Sequence, residues 1–166
     1  MSKSKGHSDG LTIKGFFRVQ LTEDGKGVIG DSGWCQNQVT NDGIRQYIVG
    51  WLVSGTGKSV TYMTLGTGTA PASNATALDG ELTGTAGGGR MAVTTSITAS
   101  GTAQFTAAFA SANSFVTKTE AISNIGLFNT SEVGVGTLFA GNTFASSNCA
   151  TNQSVNATYQ IRFASA

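Results

Sequence analysis

Between Leu11 and Leu21 the apolar residues Leu11, Ile13, Phe17, Val19 and Leu21 fall at odd positions, separated, apart from Phe16, by polar or small ones. That period of two predicts a half-buried strand. "EDGKG" (23–27) places an Asp-Gly turn after it, and Val28-Ile29 resumes extended chain. "GDSGWCQNQ" (30–38) follows neither period and predicts a loop. The pattern changes at "NDGIRQYIVGWLVSG" (41–55), where Ile44, Tyr47, Ile48, Trp51 and Leu52 fall at i, i+3, i+4, i+7 and i+8. Such a stripe predicts an amphipathic helix over about 42–54 with Trp51 in the core. Asn41 or Asp42 would cap its start, and Gly55 would end it in a left-handed turn.

After the helix the period of two returns. "VTYMTL" (60–65) is rich in β-formers, and "RMAVTTSI" (90–97) sets Met91, Val93, Thr95 and Ile97 on one face. "TAQFTAAFA" (102–110) does the same with Ala103, Phe105, Ala107 and Phe109, and Ser100-Gly101 predicts a hairpin turn between the two. "AISNIGLFN" (121–129) and "VGTLFAGNTF" (135–144) form a second pair across "TSEVG". In the last strand Val155, Ala157, Tyr159, Ile161 and Phe163 face one way. Short strands joined by glycine-rich turns predict a mainly-β fold, an antiparallel β-sandwich or jelly roll with the one helix packed over an open side or edge. The boundaries are an extended arm over 1–14, polar and weakly basic at its start, and one sandwich domain over 15–166. Two stretches, 66–82 and 83–90, read as loops, and loops of such length commonly touch partners.

Composition sharpens this picture. Apolar residues make up 39% and charged residues 11%, against roughly 25% charged in an average soluble domain. Hydroxyls and amides, rather than charges, carry solubility. A net charge of +1 gives no global field to recruit nucleic acid. No apolar run approaches the roughly 20 residues that span a bilayer, so no membrane partner is expected. "MSKSKGHSDG" has lysines without an apolar segment after them, which predicts synthesis in a cytoplasm. Cys35 and Cys149 follow no ligand spacing and are expected to be free, buried thiols.

Candidate chemistry is sparse. "GWLVSGTGKS" (50–59) ends in Gly57-Lys58-Ser59 as a phosphate-binding loop does, but Leu52 stands where that motif needs its first glycine. The order is also reversed: helix, turn, strand, rather than strand, turn, helix. The segment reads as a turn. The one histidine, His7, lies in the arm, which leaves the core without a Ser-His-Asp or Cys-His arrangement. Lys58 and Lys118 read as solvated charges, and Asp79 and Glu81 as a solvated turn about Gly80. Two carboxylates fall short of the six to eight ligands that calcium takes. Trp34 reads as a packing anchor in preference to a sugar-stacking platform. No enzymatic activity, metal or cofactor is expected.

The succession "NQVTNDGIRQYIVGWLVSG", "VTYMTLGTGTAPASNATALDGEL", "RMAVTTSI", "ISNIGLFN", "GTLFAGNTF" and a final alternating strand resembles small virion proteins of tailed bacteriophages, over roughly residues 37–163. These are the capsid decoration (cement) or tail-fibre-associated proteins. "VTNDGI", "LGTGT…P…TALDGEL" and "IGLFN…GTLFA" are its most specific parts. The resemblance implies a non-enzymatic structural protein of the virion, made in a bacterial host's cytoplasm. It would bind the outside of the major capsid protein shell and itself, as a dimer or trimer, without nucleic acid, membrane or cofactor. The alternative is a tail or head-fibre component presenting loops to the host surface. On the decoration reading the contacts would come from the arm, Lys3, Lys5, Leu11, Ile13 and Lys14, and from the loops, Pro71, Asn74 and Arg90. The arm, around Leu11 to Val19, would add as a strand to its partner.

Overall fold

The long alternating stretch near the start forms one strand, β1 (Leu11–Glu23), and the Asp-Gly turn leads it into β2 (Gly27–Asp31) with Gly25 at φ 77°. The computed structural model describes residues 10–84 and 89–165. Two short strands follow, β3 (Cys35–Gln36) and β4 (Gln38–Val39), and then helix α1, built of the segments Asn41–Gly43, Ile44–Val49 and Gly50–Ser54. The rest is β5 (Tyr62–Gly66), β6 (Arg90–Ala92), β7 (Thr94–Ala99), β8 (Thr102–Phe109), β9 (Glu120–Phe128), β10 (Ala140–Cys149) and β11 (Gln153–Ser165), with one 3₁₀ turn at Ser111–Asn113.

The strands make a β-sandwich of two antiparallel sheets. Sheet I runs β2-β1-β11-β8-β7, with β3 also on β1; sheet II runs β4-β10-β9-β5-β6. The expected hairpin at Ser100-Gly101 joins β7 to β8, and the expected second pair is β9 with β10. One expectation fails in an instructive way. Residues 90–97 are not one strand: β6 pairs with β5 in sheet II, while β7 pairs with β8 in sheet I. The chain crosses between sheets at half-buried Val93, because an alternating pattern fixes which residues share a face but not which sheet receives them.

β1 pairs with β11 from Leu11↔Ser165 to Glu23↔Gln153. Leu11, Ile13 and Lys14 therefore belong to a sheet ladder and not to a free arm, whereas Lys3, Lys5 and His7 lie outside the described residues.

The inner faces supply the core: Phe17, Val19, Ala107, Phe109, Val155, Ala157, Tyr159 and Ile161 from sheet I meet Met63, Leu65, Ile122, Ile125, Leu127 and Ala140 from sheet II. Burying each large side chain contributes about 1.5–3 kcal/mol. Phe17 stacks on Tyr159 at 5.7 Å between centroids. The Tyr159 hydroxyl accepts from Asn37 Nδ2 at 2.6 Å, and burial pushes its phenol well above the usual range. Asn37 reaches it by lying on Gly15, where a Cβ would fall 1.7 Å from Asn37 Oδ1. Both cysteines are free; Cys149 is fully buried, which pushes its thiol up to about 11, while Cys35 is half-buried.

Candidate interaction surface

Two segments cover the sandwich, one over the outer face of sheet II and one at an open end of sheet I. The first is the stretch 67–82. It lies against glycines on neighbouring strands: a Cβ on Gly141 would stand 3.1 Å from Pro71 Cγ, and one on Gly126 would stand 3.4 Å from Leu78 Cδ1. Leu78 packs there with Phe128 and Leu138 in a small second core. Buried Asn124 holds the backbone, its Nδ2 donating to the carbonyls of Thr69 (3.2 Å) and Asp79 (2.8 Å). The Asp79 carboxylate accepts from the Thr69 amide and hydroxyl, both at 2.9 Å, which holds its pKa below the ordinary value.

Arg90 closes this region. Its Nε and Nη2 donate to the two Glu81 carboxylate oxygens, and Nη1 donates to the carbonyls of Thr130 (3.1 Å) and Val135 (2.9 Å). Its guanidinium also lies 3.7 Å from the Phe128 ring centroid. Both side chains of the ion pair are buried. Two expectations change accordingly. Glu81 is a paired internal charge and not a solvated turn residue, and Arg90 and Pro71 are buried and not surface contacts. Of the three loop residues, Asn74 alone is exposed. An isolated bidentate pair at the surface would contribute little; an enclosed pair with its remaining donor satisfied by carbonyls ties three segments together.

The second covering segment is α1. Thr40, not Asn41 or Asp42, caps it: Thr40 is extended at φ −80°, its Oγ1 accepts from the Gly43 amide at 2.9 Å and donates to the Leu138 carbonyl at 2.6 Å. Asp42 instead pairs with Arg45 at 2.8 Å on the surface. Gly55 ends the helix in the left-handed conformation as the sequence predicts. Between these ends, Ile44–Val49 is π-helical. Bonding i to i+5 adds a residue per turn, so every later side chain is displaced by about one position, roughly 100° around the axis.

That displacement decides which face is buried. Tyr47 is inside, its hydroxyl donating to the Thr137 carbonyl and its ring 4.9 Å from Phe139; Ile48 is half-buried. Trp51, expected in the core, is 52% exposed, Leu52 is 82% exposed and Val53 is 80% exposed. Trp51 rests on Gly57, where a Cβ would fall 2.3 Å from its Cδ1, and its Nε1 donates to the Lys58 carbonyl at 3.3 Å. The "GTGKS" segment is thus a seat for an indole. Lys58, expected in solvent, is half-buried and donates from Nζ to Thr137 Oγ1.

Beneath Trp51 an apolar groove of about 320 Å³ runs between α1 and the inner face of sheet I, with Phe105, Ile161 and Phe163 on its floor and Thr95 on its rim. Ile13 pairs with Phe163 at this end, and Leu11, also exposed, extends the same face. The sequence-chosen residues therefore divide by element: Leu11 and Ile13 lie at the α1 end of sheet I, and Pro71 and Asn74 on the segment over sheet II, whose Ser73 carbonyl accepts from the Asn41 amide at 2.6 Å where α1 begins. Trp34, expected as a packing anchor, is half exposed in the turn between β2 and β3. Sequence reasoning missed the Trp51–Leu52–Val53 ridge as a surface, and no local signal separates a π-helical stripe from an α-helical one.

Among the described residues no group of three or more His, Cys, Asp or Glu could hold a metal, and no helix is long and apolar enough to cross a membrane. Comparison with family models, with curated proteins and with solved structures finds no match for this chain.

Proposed function

We propose that this protein is a non-enzymatic structural component of a virion, a decoration protein that binds the outside of a capsid shell through the α1 end of its sandwich. The observation that carries the reading is the contiguous exposed apolar ridge of Trp51, Leu52 and Val53 beside a groove floored by Phe105 and Phe163. Apolar area of this kind, gathered at one end of an otherwise weakly charged surface, suits a protein-binding face. Covering it removes apolar surface from water at about 25 cal/mol per Å², so a capsid surface seated there gains adhesion without any reactive group. Lys14, exposed on β1, adds charge contacts at the rim, where each exposed pair contributes roughly 0–1 kcal/mol. The resemblance to phage decoration proteins supplies the partner, the major capsid protein.

The test is copy number in purified phage particles, measured by quantitative mass spectrometry, followed by rebinding of Leu52→Ser/Val53→Ser to stripped capsids. A fixed stoichiometric ratio to the shell protein, with rebinding lost in the double variant, is the expected result. Absence from particles overturns the reading. A few copies per particle would support the second reading, a tail or head-fibre component. Half-exposed Trp34 favours that one, since an indole held in a turn can stack on a host sugar. Glycan-array binding lost on Trp34→Ala would establish it.

A further inference from the structure

Among the described residues nothing pairs with the outer side of β7, the outermost strand of sheet I. It pairs with β8 on one side and is the last strand of the sheet order. Every residue from Thr94 to Ala99 is exposed, and Ile97, at 85%, exceeds every other large apolar side chain described. Edges of soluble proteins are normally blunted by charge, proline, bulges or brevity. The other edges here follow that rule. β4 and β6 span two and three residues, and β2 carries Asp31, paired with Arg18, and a register shift in its pairing with β1. By contrast, no charged residue and no proline occur between Arg90 and Lys118, so neither β7 nor β8 carries a guard. The one irregularity of β7, a register shift between Ile97 and Ala99, falls at the hairpin end and leaves 94–97 regular.

We infer that β7 is the joint of a homodimer, in which a second copy adds its own β7 antiparallel to this one. An open strand edge presents main-chain donors and acceptors, so its occupant is an extended strand. This chain's remaining residues do not suit it. Residues 1–9 carry Lys3, Lys5 and Asp9 with Met1 as their one apolar member, and 85–88 are only Thr-Ala-Gly-Gly. A second copy brings a strand of matching character, uncharged and β-branched, with no like charges to repel. Antiparallel pairing of identical strands is isologous, so one two-fold axis closes the assembly and leaves no further open edge at the joint. With that axis normal to the sheet, Thr95 and Ile97 stay on the inner side in both copies. Thr95 already lines the groove beneath Trp51, so the two grooves would open toward the joint from either side. The resemblance already implies self-association as a dimer or trimer; the joint at β7 rests on the strand edge alone and does not depend on the virion reading.

The test is sedimentation equilibrium of the full chain, with Ile97→Lys and Ser96→Lys as edge variants from opposite faces of the strand and Leu52→Ser/Val53→Ser as a control on the helix ridge. Each edge variant alters an exposed side chain, and circular dichroism reports whether it remains folded. The expected result is a dimer whose dissociation constant rises at least about tenfold in both edge variants and does not move in the control. A wild-type chain monomeric at every concentration overturns the inference. So does a dimer indifferent to both lysines, or one broken by the ridge variant alone. Failure of the particle experiment would leave the dimer result standing, and the reverse also holds.

Discussion

The segment 67–82 and helix α1 do the same job by opposite means. Each covers part of the sandwich, yet the loop finishes with its apolar residues Pro71 and Leu78 inside, while the helix finishes with Leu52 and Val53 in water. The loop is held by specific polar contacts, from Asn124 to two carbonyls and from Arg90 to Glu81 and two more, and glycines let it approach the sheet. The helix is held by its Thr40 cap on the Leu138 carbonyl, by the Asn41 amide on the Ser73 carbonyl, by Tyr47 and by the seat of Trp51 on Gly57. A covering segment whose large apolar residues are all inside leaves little apolar surface to offer a partner. One that keeps an apolar ridge exposed does.

The comparison can be broken most forcefully at Arg90. Arg90→Ala leaves Glu81 buried without its counter-charge and two carbonyls without a donor, and is expected to destabilise the protein by about 3–5 kcal/mol in chemical denaturation. A loss no larger than that of a surface change would mean the loop is held elsewhere. Next is Gly141→Ala, whose new methyl would stand 2.8 Å from the Ile125 carbonyl oxygen and 3.1 Å from Pro71 Cγ. Overpacking of this kind costs about 1–3 kcal/mol, read as a lower thermal midpoint.

A smaller effect comes from acid. The Asp79 carboxylate, its pKa held down by the Thr69 amide and hydroxyl, is lower in the folded than in the unfolded chain. Its contribution is present above the unfolded value, about 4, and is lost as pH falls through the folded value. Protection of the Thr69 amide, the unstructured exchange rate over the observed one at the same pH, is expected to fall below about pH 4, and Asp79→Asn is expected to abolish that pH dependence. Smallest of all, Leu52→Ser/Val53→Ser is expected to move unfolding free energy by no more than about 0.5 kcal/mol, since both side chains are already exposed. A large loss there would show the ridge to be core after all.

How far the sequence reads ahead differs between these regions for a physical reason. The strand alternation of 11–21 and 155–163, the Gly25 and Gly101 turns and the Gly55 helix end are all local signals, and each is found in place. The loop's role was hidden because glycine, threonine and asparagine look alike in a solvated turn and in a packed cover. The role of Arg90 was hidden because its acceptor at Val135 lies 45 residues away. The helix stripe was legible, but its orientation was not.

The sequence alone determined the mainly-β class, the place of the helix and the turns that join the strands, because φ/ψ preference and side-chain periodicity act within a few residues. Tertiary structure decided the rest: the sheet change at Val93, the burial of Pro71, Glu81 and Arg90, and the outward turn of Trp51 and Leu52. Those outcomes depend on which distant groups compete for the same inner surface, and that competition is settled only when the sheets close on each other.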